Sequence, residues 1–242
     1  MQLTQIRPNF VPGIVAVLIL AMLLYGPIAQ PANYHHFADA RSLFGIPNAG
    51  DVLSNIGFLL AGAYGLVLWR RSPEAPERSG YGAFFAAVAL TAAGSTWYHL
   101  APDNAGLVWD RLPIALACAA LLSGELRRAY PDAGWARASL PALCLAAAAS
   151  VAWWSMSGDL RPYLFIQVAP LLLIPALQWQ KGEAKSRRTA FAVAIGLYVL
   201  AKMCEVADAS LFEALGVMSG HTLKHMLAFA AALVLARQNL TR

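Results

Sequence analysis

GYGAFFAAVALTAAGSTWYH, residues 80–99, contains no Asp, Glu, Lys or Arg, and its last six residues gather a serine, a threonine, two aromatic residues and a histidine. A bilayer core about 30 Å thick is crossed by roughly 20 apolar residues in a helix. The stretch is therefore long enough to span a membrane, with its chemistry held at one end. Working outward, runs of the same kind occupy 10–28, 52–69, 108–126, 138–156, 163–179, 189–207 and 220–236, giving eight expected spans. The whole chain agrees with this reading. Of its 242 residues, 59% are hydrophobic and 13% charged, and a soluble domain carries about 25% charged residues.

The apolar residues do not alternate, and Ala/Leu-rich runs dominate, so the expected class is all-α, a polytopic helix bundle, and an outer-membrane barrel is excluded. Connections are short and no linker divides the chain, so 1–242 reads as a single transmembrane domain. Residues 1–29 have the charge and apolar layout of a secretory signal, but they read better as a retained first helix. The net charge of +5 does not point to nucleic acid, because the basic residues lie between spans, where membrane topology accounts for them. Cys118, Cys144 and Cys204 each fall inside a span without CxxC spacing and read as small apolar residues.

Orientation follows from Lys and Arg. The even-numbered loops and the termini hold Arg7, Arg70, Arg71, Arg78, Arg127, Arg128, Arg137, Lys181, Lys185, Arg187, Arg188, Arg237 and Arg242, whereas the odd loops hold only Arg41 and Arg161. Both termini are expected in the cytoplasm. The ends of the third, fourth and eighth spans that carry His99, Asp110 and His221 then meet at the outer face.

Ionisable groups inside a span are costly and usually face the bundle interior. His221 and His225, in SGHTLKH, are four residues apart and share one helix face. That spacing alone is weak, because a helical histidine is more often a hydrogen-bonded packing residue. With His99 at the same depth, the three make a metal-ligand set that leaves a fourth zinc position open for water, the pattern of a catalytic site. Ser95 lies one turn deeper than His99 on the same face, although a serine bonded back to its own helix is common. Asp110, in VWDRLP, can orient a ligand, bind the metal or accept a proton from water, or else pair with neighbouring Arg111. His35 and His36 in the first outer loop read as interfacial packing. Lys202, Glu205 and Asp208, at i,i+3 spacing, read as a structural network in which Lys202 and Glu205 pair. Trp97, Tyr98, Trp109, Trp153 and Trp154 read as interfacial belts.

The stretches GSTWYH (94–99), WDRLP (109–113) and HTLKH (221–225), with Leu53-Ser54-Asn55 as a weaker match, resemble the alkaline ceramidase family, especially its bacterial branch. The likeness extends over about residues 34–236. It implies a seven-helix core, zinc held by His99, His221 and His225, water activation by Asp110, support of the reacting oxygen by Ser95, and hydrolysis of the amide bond of ceramide or a related N-acyl lipid. The first span precedes the family's usual seven. The family's acidic calcium-binding segment finds only Asp39, Asn48 and Asp51 here, so the resemblance carries no expectation of calcium. Two other classes use the same residues: a proton- or cation-coupled transporter, and a receptor whose zinc is structural.

Overall fold

The computed structural model describes residues 10–240, side chains through residue 238, so Arg7 and Arg242, both counted toward the cytoplasmic side, lie outside the described residues. Among the described residues the chain is all-helical. The helices are α1 (Val11–Tyr25), α2 (Ala49–Ser54), α3 (Ile56–Arg71), α4 (Arg78–Leu100), α5 (Asn104–Ala129), α6 (Gly134–Ser157), α7 (Arg161–Gln180), α8 (Lys185–Val206), α9 (Asp208–Leu215) and α10 (Gly220–Leu240). Each expected span falls on a helix, with ends shifted by a few residues. The helix α9 stands where the sequence reads only a loop.

Five helices are long and apolar enough to cross a membrane: Ala49–Arg71, which is α2 and α3 taken together, and α5, α6, α7 and α8. The chain is thus an integral membrane protein by length and composition. The remaining expected spans differ for physical reasons. With 15 residues, α1 is apolar but short. The 23-residue α4 and 21-residue α10 are long but lose apolar character to the residues that build the site.

Close packing depends on small residues, as in membrane bundles generally. A Cβ on Gly80 would stand 2.5 Å from the Cα of Gly124, and one on Gly94 would run into the Trp109 carbonyl. These two glycines, nearly four turns apart, bring α4 against α5 along most of its length. Pro113, Pro141, Pro170 and Pro175 lie inside helices, which membrane helices tolerate where neighbours satisfy the freed carbonyls.

The two ends of the bundle carry separate polar clusters. At the end away from the histidines, Glu125 receives hydrogen bonds from Tyr81 Oη (2.5 Å) and Gln178 Nε2 (2.9 Å) and pairs with Arg187, joining α4, α5, α7 and α8. At the histidine end, the segment 26–48 folds across the helix ends. Leu160 N donates to Ile28 O at 2.8 Å, Ala38 N to Asp208 Oδ2 at 2.9 Å, and Asn48 Nδ2 to His99 O at 2.8 Å.

A three-histidine candidate metal centre

His99 occupies the last turn of α4, and Asn48 satisfies the His99 carbonyl that the helix end would otherwise orphan. His221 and His225 lie in the first two turns of α10. That helix begins on a hydrogen bond from Thr222 N to Ser219 Oγ (3.1 Å), the usual bond of a serine cap. Asp208 adds a second fixed point by accepting His221 N at 2.7 Å. Gly220 is required here because a Cβ would collide with the Cys204 carbonyl and the backbone of Asp208.

The three rings face one another, with centroids 4.8 Å (His99–His221), 5.2 Å (His99–His225) and 5.0 Å (His221–His225) apart. One ligand nitrogen from each lies within 4.8 Å of the others, and all three residues are buried. Three imidazoles on one tetrahedral zinc would bring these nitrogens to about 3.3 Å, given Zn–N bonds of about 2.05 Å. Small rotations of the rings close that gap. His99 Nδ1 and His221 Nε2 are buried without a hydrogen-bond partner. Orphaned ring nitrogens are costly in a dry site unless something accepts their lone pairs, so the residues present fit a transition metal.

Ser54 fixes the third ring. Its hydroxyl donates to the Asp51 carbonyl (2.9 Å) and lies 2.7 Å from His225 Nδ1. When that proton goes to the carbonyl, Ser54 accepts from the ring. The imidazole proton then sits at Nδ1 and the lone pair at Nε2, the arrangement of a metal-binding histidine oriented by a second hydrogen bond. Asp51 continues the support by accepting from Thr222 Oγ1 at 2.7 Å. Sequence reasoning quoted Ser54 only as part of a weak motif. Its one signal was a hydroxyl beside an apolar run, and its partner is 171 residues away.

Ser95 and Asp110 are both buried, and the Ser95 hydroxyl, which faces the Asp110 carboxyl, makes no hydrogen bond among the described residues. Asp110 is not part of the three-histidine cluster. It makes no close ion pair with Arg111, whose guanidinium instead sits over the rings of Trp154 (3.9 Å), Tyr163 (5.1 Å) and Tyr34 (5.2 Å). Aromatic faces hold that buried cation, so the carboxylate is left to the site. Trp154 and Tyr98 are therefore interior residues rather than belt residues, whereas Trp97, Trp109 and Trp153 are more than half exposed.

His35 packs away from the metal cluster, its ring nitrogens 2.9 Å from Tyr98 Oη and 3.0 Å from Asn104 Oδ1; His36 is exposed. Phe37, which the sequence gave no reason to select, stands 4.7 Å from the His99 ring and 4.8 Å from the His221 ring and covers them. Asp39 is bound to Arg41 (2.7 Å), while Asn48 and Asp51 are engaged as described. Lys202 and Glu205 pair as the spacing implies (2.9 Å), and Lys224 joins them at 2.8 Å from the other Glu205 oxygen. Asp208 lies outside that pair and serves α10 and the loop instead.

Ser95, Asp110 and His225, with Lys202 and Lys224, line one end of a cavity of about 180 Å³. Its far end reaches Phe84 on α4, Leu121 on α5, Phe191 on α8 and Leu235 on α10. Along each of these helices the polar end and the apolar end are ten or eleven residues apart, or about 16 Å at 1.5 Å per residue. A scan of the chain against protein-family models finds no match, and comparison with curated proteins finds no significant one.

Proposed function

We propose that the protein is a zinc-dependent membrane hydrolase that cleaves the amide bond of an N-acyl lipid, of the ceramide type or related to it, releasing a fatty acid. The observation that carries this reading is the juncture of the three-histidine cluster, Ser95 and Asp110 with the polar end of an apolar cavity. Along the helices, its lining extends over the length of an acyl chain. Carbon–carbon bonds of about 1.52 Å at about 111° advance roughly 1.25 Å per carbon, so 16 Å takes about twelve or thirteen carbons. The scissile amide then lies at the histidines. The resemblance of GSTWYH, WDRLP and HTLKH to alkaline ceramidases favours the same chemistry.

His99, His221 and His225 would hold the zinc, which when bound lowers the pKa of a water to about 7 and polarises a carbonyl. Asp110 takes the proton of the attacking water as its oxygen bonds to the carbonyl carbon. As the C–N bond breaks, Asp110 gives that proton to the leaving nitrogen. Ser95 donates its hydroxyl hydrogen to the carbonyl oxygen while charge builds there. Phe37 limits the entry of bulk water from the loop side.

A transporter would use a polar path between the two ends of the bundle, and the apolar lining between Lys202 and Glu125 speaks against one. In topology, we infer eight spans, a seven-helix core preceded by α1, in a bacterial inner membrane, with both termini cytoplasmic and the site near the outer face.

The test uses detergent-purified protein, wild type and Asp110→Asn, incubated with ceramides and other N-acyl lipids. Fatty-acid release and metal content are measured in the same samples. The expectation is about one zinc per chain in both, and turnover lower by about 10²- to 10⁴-fold in the variant, the usual cost of losing a general base. A zinc-loaded wild type that releases no fatty acid from any amide lipid would sink the hydrolase in favour of a receptor with structural zinc.

A further inference from the structure

Lys202, Glu205 and Lys224 are more than an ion pair needs. One carboxylate holds two ammonium groups, one on each oxygen, at 2.9 and 2.8 Å. A lysine ammonium carries three N–H donors, and each of these two uses one. Four donors are left, and both lysines, but not Glu205, line the polar end of the cavity. The carboxylate among the lining residues is Asp110, whose charge acts on Lys224 without forming an ion pair with either lysine among the described residues. Elsewhere the lining is mainly apolar, and desolvated donors in such surroundings are unfavourable unless something accepts their hydrogens. Glu205 thus backs two cations that line the polar end of the cavity with donors to spare.

Resting on the hydrolase reading above, we propose that Lys202 and Lys224 clamp a carboxylate on the head group of the substrate, so that the protein acts on N-acyl amino acids in preference to neutral amides such as ceramide. The acyl chain occupies the cavity, the amide lies at the histidines, and the carboxylate next to the amide nitrogen spans the two ammonium groups. Two close cations read a carboxylate by its two oxygens, as Glu205 does from behind. A neutral hydroxyl head group supplies no charge to offset their desolvation.

The test compares three lipids that share one chain: N-lauroylglycine, N-lauroylethanolamine and free laurate. Full-length, zinc-loaded protein in neutral detergent is assayed for binding by thermal stabilisation and for laurate release. We expect N-lauroylglycine to bind at least about tenfold tighter than either of the others, as a charge-assisted hydrogen bond allows. Lys202→Met should remove most of that margin and Lys202→Arg should keep it. Glu205 retains Lys224 in both variants, and a melting temperature without lipid reports whether they fold. Equal or tighter binding of the ethanolamide overturns the clamp, and its hydrolysis would leave the hydrolase standing. Laurate binding as tightly as N-lauroylglycine also overturns the assignment, because the cations would then serve the product's carboxylate. Preference for N-lauroylglycine with no laurate released from either amide keeps the clamp and removes the hydrolase.

Discussion

At the scale of single residues, what turns three histidines into a site is the set of neighbours that fix their lone pairs. Ser54 is the clearest case, since its hydroxyl lies between the Asp51 carbonyl and His225 Nδ1 and so orients that ring. Removing such an outer partner from a metal-bound histidine usually costs about 10- to 100-fold in metal affinity. Ser54→Ala should therefore weaken zinc binding by that order while His99 and His221 still bind, and Ser54→Thr should restore much of it. Competition with a graded series of chelators measures this, and an Ala variant with wild-type affinity would show Ser54 to be a packing residue. The histidines themselves were legible because i,i+4 spacing and span depth are both local to the sequence. Ser54, Phe37 and the third member of the lysine network were not, because each acts on a helix distant in the chain. Adjacency offered Arg111 as the alternative partner of Asp110, yet successive residues on a helix point about 100° apart, and Arg111 turns to Trp154 instead.

At the scale of elements, the same polarity that marks a site weakens the signal of the helix carrying it, which is why α4 and α10 are less apolar than the other long helices. Their helices were still legible from length and from the absence of breakers. The short helix α9 was not, because eight residues leave too little periodicity to read. The first segment after α1 is anchored by a staple that no local pattern announces. Asp159 accepts Ile28 N (3.1 Å) and pairs with Arg161 (2.8 Å), which also donates to Met22 O at the end of α1 (3.0 Å). Hydrogen bonds from the Arg161 side chain hold the Asp159 carboxyl well below the usual carboxylate range, outweighing the opposing effect of burial. A carboxyl depressed on folding contributes stability that is complete above its unfolded value, about 3.9, and is lost only as pH falls through the lower folded value. The staple should thus survive from neutral pH down to about pH 4 and release only in stronger acid. Hydrogen exchange at the Ile28 amide should stay slow over that range in the wild type and become fast at neutral pH in Asp159→Ala. Exchange that is equal in the two proteins would remove the staple from the account.

At the scale of the whole molecule, the two polar clusters lie at opposite ends of an apolar interior, and the distribution of charge between those ends decides which faces the cytoplasm. The end opposite the histidines carries most of the loop arginines and lysines, but several are already paired: Arg128 with Glu77 and Glu183, Arg78 with Glu74, and Arg187 with Glu125. If net charge set orientation, that pairing would weaken the bias. Insertion instead responds to Lys and Arg near the span ends before tertiary pairs form, and acidic residues contribute little. The excess of thirteen loop and terminal basic residues over two therefore keeps its force as the ground for the proposal that the histidine end faces outward. That assignment matters chemically, because it lets an acyl chain enter from the outer leaflet while the head group stays near water. Reporter fusions at Arg78, Lys185 and Arg242 should all register in the cytoplasm, and one within the segment 26–48 should register outside. Two external reports among the first three would invert the molecule and move its substrate to the inner leaflet.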